Sequence, residues 1–260
     1  MAGGRSCASQ KPNEFLERRM IIMKANTLVT GLLASIFFIG CCWRGETKHS
    51  AKAQTIPLEA ATPELPNESL VYENDFSGYA LGEEPEDLFI LDGEFSVKEE
   101  QKNKVLALPG VPIGDFGILF GPRIKGKPIE LRCRMFSTRK GRRLPAFAAG
   151  LGGLNGFRLR IDCPAGKLRL LRGEDVLAEE PFAWKSGSWM HLRFRVEPAG
   201  EEGAKVLCKV WDAIDKEPPE WSLVHRDKAP FAGGKCVLWG IPYAGTEINF
   251  DDLRVFSLAD

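Results

Sequence analysis

A net charge is the first thing missing from this chain. Lys and Arg number 35, Asp and Glu number 35, so the basic excess that general nucleic-acid binders need is absent. Histidine is scarce as well. Of the three, His49 sits in a polar stretch, so a Ser/His/Asp or Cys/His unit would have to use His191 or His225. His191 alternates with Arg193 and Arg195, the pattern of a solvated sheet face rather than of a general base. The chain has no H-x-x-x-H, no C-x-x-C, no phosphate-cradling glycine loop and no dinucleotide fingerprint, which removes the usual signals for zinc and nucleotides. No window longer than ten residues carries a convincing amphipathic-helix period. What remains is ordinary globular composition, 44% apolar and 27% charged over 260 residues, which excludes a disordered tail-type protein and a chain that is mostly membrane.

One long apolar run is present. From Met23 the chain reads MKANTLVTGLLASIFFIGCC. Lys24 supplies a positive n-region, and Ala25 to Ile39 is an almost uncharged h-region. The run ends Phe38-Ile39-Gly40-Cys41, which resembles the lipobox of bacterial lipoproteins with Phe38 in place of the usual Leu. The resemblance implies cleavage before Cys41 and lipidation of its thiol, with several acyl chains making a lasting anchor in the bilayer. An uncleaved anchor, Thr27 to Trp43, and ordinary secretion are the alternatives. Residues 1–22 precede the basic n-region and read as an extension from an upstream start codon, with Met20 or Met23 the true start. The expected order is therefore a mis-called extension (1–22), a lipoprotein signal helix (23–40), lipidated Cys41 with a flexible tether holding three prolines (41–69), and a folded domain (70–260).

In that domain the hydrophobic period is two. IELRCRM (129–135), FRLRIDC (157–163) and MHLRFRV (190–196) alternate apolar and charged residues, and VLCKVW (206–211) is mixed but β-rich. Pro-Ala-Gly at 164–166 and 198–200, Lys-Ser-Gly-Ser at 185–188 and Ala-Gly-Gly at 232–234 punctuate them. The paired prolines in DAIDKEPPE (212–220) predict a loop. Short strands at regular spacing predict an all-β antiparallel sandwich or barrel, with about a dozen strands for this length.

Four segments carry a resemblance. WKSGSWMHLRFRV from Trp184 resembles the G-x-W-x-x-L-x-x-x-V strand of concanavalin A-like, LamG-type jelly rolls. YENDFS from Tyr72, with DGEFSV from Asp92, resembles the opening of such domains in bacterial surface proteins. KVWDAIDKEPPEW from Lys209 and GIPYAGTEINFDDLRV from Gly240 are similar to a hairpin and closing strand in modules that follow quinoprotein-like β-propellers in planctomycete-type proteins; no propeller accompanies them here. The resemblance covers residues 70–258 and implies a two-sheet jelly-roll sandwich. Glucanases of this superfamily carry E-x-D-x-x-E or E-x-D-x-E on one strand. Glu94 to Glu99 lacks the middle acid, and Glu247 to Asp251 lacks the pattern. The enzyme alternative is a glycoside-processing relative of 3-keto-disaccharide hydrolases, although the N-S-G-x-x-x-R strand of that group is absent.

Two candidate sites follow. Jelly rolls often set first and last strands side by side, so Glu73 and Asp75 could meet Asp251 and Asp252 and clamp a structural calcium ion. Strict alternation puts Asp252 on the inward face of Ile248 and Phe250. The second site is cationic. If the three alternating strands are neighbours, Arg132, Arg134, Arg158, Arg160, Arg193 and Arg195 project from one face, with Trp211 as a sugar-stacking ring. Such a face suits an acidic glycan. The competing reading is that Glu130, Asp162 and Glu197 neutralise it across the strands. Trp189 and Trp239 read as packing residues, and Trp221 as closing a loop. Cys133, Cys163 and Cys208 fall in the apolar register, as small buried hydrophobes, and one internal bridge stays open. The expected whole is an envelope-anchored, extracytoplasmic, non-catalytic binding module for a polysaccharide or a protein partner. A structural or assembly lipoprotein is the other alternative.

Overall fold

Alternation of this kind pairs strands into sheets with one face inward, and the computed structural model shows two such sheets. It describes residues 68–259; Cys41, the signal segment and the tether up to residue 67 lie outside them. The first sheet runs β13 (Leu223–Asp227), β12 (Ala204–Asp212), β11 (Met190–Pro198), β6 (Ile129–Ser137), β15 (Ile248–Leu258), β4 (Asn103–Leu108) and β3 (Ser96–Glu100), with β1 (Glu68–Asn74) also pairing β15. The second runs β10 (Asp175–Pro181), β9 (Lys167–Arg172), β8 (Phe157–Asp162), β7 (Ala146–Leu151), β14 (Gly234–Ile241), β5 (Phe116–Ile124) and β2 (Phe89–Asp92). Neighbouring strands are antiparallel throughout. This is the all-β, two-sheet sandwich that the period of two predicts. The described residues hold fifteen strands rather than a dozen, because short edge strands such as β2 and β3 extend the sheets.

The core is made by the predicted registers. Leu131, Cys133 and Met135 of β6 and Leu192, Phe194 and Val196 of β11 meet Phe147 and Leu151 of β7 and Phe157, Leu159 and Ile161 of β8. Each fully buried large side chain of this kind contributes about 1.5–3 kcal/mol. Residues 213–222 form the loop between β12 and β13, as expected of the proline-bearing stretch; Asp212 ends β12. One alternation fails. Asp252 has φ 51°, and the register against β6 shifts between Asp251 and Arg254. The bulge inserts a residue, so Leu253 takes the inward place that alternation assigned to Asp252.

The loop after β1 is tied by a single carboxylate. Asp87 accepts hydrogen bonds from the Tyr72 hydroxyl, the Tyr79 hydroxyl (2.8 Å) and Asn74 Nδ2 (3.1 Å). Burial pushes the Asp87 carboxyl up, but these donors outweigh it and hold the group below the usual carboxylate range. Burial and the same carboxylate raise Tyr72 and Tyr79 above an ordinary tyrosine. A depressed acid stabilises the fold above its unfolded value near ~3.9, and that stability is lost as pH falls through the folded value. Asp87→Asn is therefore expected to lower the denaturation midpoint at pH 7, with the gap to wild type closing below about pH 4. A gap that stays constant to pH 2 would count against this role.

Candidate functional site

The six arginines divide between two sheets. β6 and β11 are neighbours, as the cationic-face reading requires, but β8 belongs to the opposite sheet. Arg132, Arg134, Arg193 and Arg195 share one outer face; Arg158 and Arg160 stand on the other. The single six-arginine surface does not exist, because sheet membership is set by long-range pairing that alternation does not encode.

On the first sheet the cations are spent internally. Glu130 is 0% exposed. It accepts hydrogen bonds from Arg132 Nε (2.5 Å), Arg193 Nε (2.6 Å) and Arg195 Nε (2.6 Å). Glu68 on β1 binds Arg132 Nη2 (2.7 Å) and Arg193 Nη2 (3.3 Å). Glu217, from the loop after β12, reaches Arg193 (2.7 Å) and Lys209 (2.5 Å). Trp221 then lies over the set, 5.5 Å from the guanidinium carbons of Arg193 and Arg195 and 4.9 Å from Lys209 Nζ. Trp211 stacks on His191 at 5.2 Å. Burial and the neighbouring Arg134 charge lower the basicity of that imidazole, which favours its neutral form.

The four acids considered for calcium are also partnered. Arg254 Nε donates to Glu73 (2.7 Å), and the Ser77 amide (3.0 Å) and hydroxyl (2.7 Å) donate to Asp75. Asp251, buried, takes Arg134 and Asn103 Nδ2 (2.7 Å). Asp252 lies 2.7 Å from Arg134 Nε, whose N–H does not point at the carboxylate. First and last strands do pair, β1 with β15. Even so, the carboxylates lie among guanidinium, amide and hydroxyl donors, and no group of three or more His, Cys, Asp or Glu among the described residues is arranged to hold a metal ion. The residues present do not fit a calcium site. Cys133, Cys163, Cys208 and Cys236 are buried free thiols, pushed by burial above the ordinary thiol range.

The second sheet's outer face is built differently. Cys236 and Leu238 of β14 enter the core, so Val237 and Trp239 point outward, where they pack with Ala148, Leu91 and Leu119. A Cβ on Gly117 of β5 would come within 2.9 Å of Trp239 Nε1, and one on Gly150 of β7 within 2.9 Å of Cζ3. The indole thus lies across both neighbouring strands, on the floor that two glycines leave open. Arg158 covers it, its guanidinium carbon 5.1 Å from the ring centroid, a cation–π contact.

Here the guanidiniums are only loosely paired. Arg158 faces Asp115 only at 3.9 Å, and Arg160 Nε lies 4.0 Å from Asp162, whose Oδ2 already accepts Arg169 Nη1 at 2.6 Å. Arg160 Nε is buried without a hydrogen-bond partner, which costs about 1–3 kcal/mol. Burial raises the Asp115 carboxyl, against the pull of Arg158 and Arg160.

Alternation singled out Arg158 and Arg160, and Trp239 is the packing residue expected from the sequence, buried beneath Arg158. Both registers of β14 are apolar, so its outward side is invisible until the glycines on β5 and β7 are seen beneath the ring.

No family model matches the chain, and no curated protein matches it. Solved structures do. A protein of unknown function with a galectin-like fold from Bacillus subtilis is 13% identical, covering 75% of this chain and 100% of that one with a TM-score of 0.53. The PL-14 alginate lyase from Aplysia kurodai is 13% identical, covering 73% and 99% with a TM-score of 0.48. Lectin II from Ulex europaeus is 12% identical, covering 74% and 100% with a TM-score of 0.47. The Bacillus likeness shows the fold, a two-sheet jelly roll of galectin-like form.

The two faces predict opposite responses in urea. Glu130→Ala strands three arginines over a buried gap and is expected to cost about 3 kcal/mol. The double change Arg158→Ala, Arg160→Ala removes no hydrogen bond and should cost less than about 1 kcal/mol. Comparable losses would mean that Arg158 and Arg160 serve the fold. The partnered acids also predict superimposable melting curves in calcium and in EDTA; a calcium-dependent rise in Tm would require one of those ion pairs to open.

Proposed function

We propose that this chain is a non-catalytic glycan-binding module that holds an acidic polysaccharide on the outer face of its second sheet. The observation that carries this reading is the pair of guanidiniums, Arg158 and Arg160, that make no side-chain hydrogen bond among the described residues, beside an indole lying flat on the strands. A guanidinium fork matches a carboxylate or sulfate with two parallel hydrogen bonds. A carboxylate or sulfate would meet the Nη groups of these two partly exposed guanidiniums, and Trp239, buried beneath Arg158, supports that guanidinium from below. The lectin-type fold is consistent with this use. Binding is preferred to hydrolysis because a glycosidase needs two free carboxylates. On this face Asp162 is committed to Arg169, and Asp115 faces Arg158. The lipobox-like segment ending at Cys41 supports a lipid anchor that would present the module at the cell envelope, outside the cytoplasm.

A chain spanning residues 60–260 is the reagent for the test. It is expected to be retained on polygalacturonate, alginate or a sulfated glycan at low salt and released near 1 M salt, where screening shortens to about 3 Å. Arg158→Ala with Arg160→Ala should weaken retention at least tenfold. Arg139→Ala with Arg142→Ala, removing exposed cations of the β6–β7 turn, should leave it unchanged. No retention by wild type, or equal retention by wild type and the Arg158, Arg160 variant, would overturn the proposal.

A further inference from the structure

The Trp239 face does not end at the indole. It continues into a cavity of about 320 Å³ whose lining includes Leu119, Arg123, Asn155 and Lys235. Leu119 also packs against the Trp239 cluster. Lys235 precedes Val237 and Trp239 on the outward side of β14, so cavity and indole share one surface. The walls are backbone. The turn after β7, carrying Gly152, and the start of β14 approach so closely that a Cβ on Gly234 would fall 2.5 Å from the Gly152 carbonyl carbon. Gly153 N–H donates to the Lys235 carbonyl at 2.8 Å, which fixes the two segments together. No acidic residue lines the cavity, and among the described residues neither Arg123 nor Lys235 has a hydrogen-bonded or ion-pair partner. Unlike the first sheet, this face therefore carries two sets of cations without side-chain hydrogen bonds among the described residues: Arg158 with Arg160, whose nearest carboxylates stand at 3.9 and 4.0 Å, and Arg123 with Lys235, which have no ion-pair partner. Lys235 and Trp239 are four residues apart on one strand, about 13 Å at ~3.3 Å per residue.

We infer that the site takes an internal stretch of a linear polyanionic chain, with one anionic group at Arg158 and Arg160 and a second, farther along the same chain, at Arg123 and Lys235. This rests on the glycan reading above and narrows it, from an acidic sugar to a polymer long enough to span both positions. The physical reason is linkage. Each position alone is a small, solvent-screened contact, whereas a ligand held at the first meets the second at high effective concentration. A monosaccharide or short chain reaches only one. Uronate carboxylates and sulfate esters share the required chemistry.

Calorimetric titration with size-fractionated oligogalacturonates, and separately with heparin-derived oligosaccharides, from two to twelve sugars tests this. The affinity of wild type is expected to rise at least tenfold as chains become long enough to span the two positions. Arg123→Ala with Lys235→Ala should abolish that rise and leave the binding of the shortest ligands unchanged. Whichever series shows the step identifies carboxylate or sulfate as the anion. A length-independent affinity, or an Arg123, Lys235 variant that matches wild type on long chains, overturns the second position and leaves the glycan reading standing. Failure of wild type to bind any member of either series overturns both.

Discussion

Glu130 has no exposed surface, and three guanidinium Nε–H groups converge on its two oxygens. A lone carboxylate at that depth would be several kcal/mol unfavourable. The three charge-assisted hydrogen bonds offset that cost, and in doing so they set how the first sheet is used. Arg193 and Arg195 tie β11 to β6, Glu68 brings β1 onto the same cluster, and Glu217 draws the loop after β12 across it. Trp221 closes the surface. A face rich in arginine becomes, through one buried acid, a finished layer of structure.

The second sheet is the consequence of that layer by contrast. Among the described residues, its outer surface brings no carboxylate within hydrogen-bond reach of Arg158 and Arg160. The nearest carboxylates stand off at 3.9 and 4.0 Å. The same residue type, in the same alternating pattern, is therefore structural on one side of the sandwich and available on the other. Glycine decides the rest. Without Cβ atoms at Gly117 and Gly150, the indole of Trp239 has room to lie across three strands. A larger residue at either position would drive the ring edge upward and remove the platform.

Much of the fold was legible in advance. Ile129, Leu131, Cys133 and Met135 are buried as their alternation with charged residues requires, and so are Leu192, Phe194 and Val196. The loop at 213–222 follows from its prolines. The errors are instructive because each is a long-range effect. The bulge at Asp252 reverses the inward and outward places that strict alternation assigns at the end of β15, and it exists only where β15 pairs β6. Arg158 and Arg160 were grouped with arginines they never meet. Trp239 packs, as the apolar residues around it require, in a cluster with Ala148 and Val237.

By itself, the sequence determined the period of two, hence strands, hence which side chains of β6, β8 and β11 face inward and which arginines face out. That information is local: a strand's alternation depends only on its own residues and on the exclusion of apolar groups from water. It also confined His191 to a polar strand face. Only the tertiary structure decided which strands became neighbours, and through that which arginines found carboxylates and which did not. Pairing across the chain is set by the summed packing of two sheets. No single segment carries the information that Glu130 lies under Arg193, or that Gly117 and Gly150 lie under Trp239.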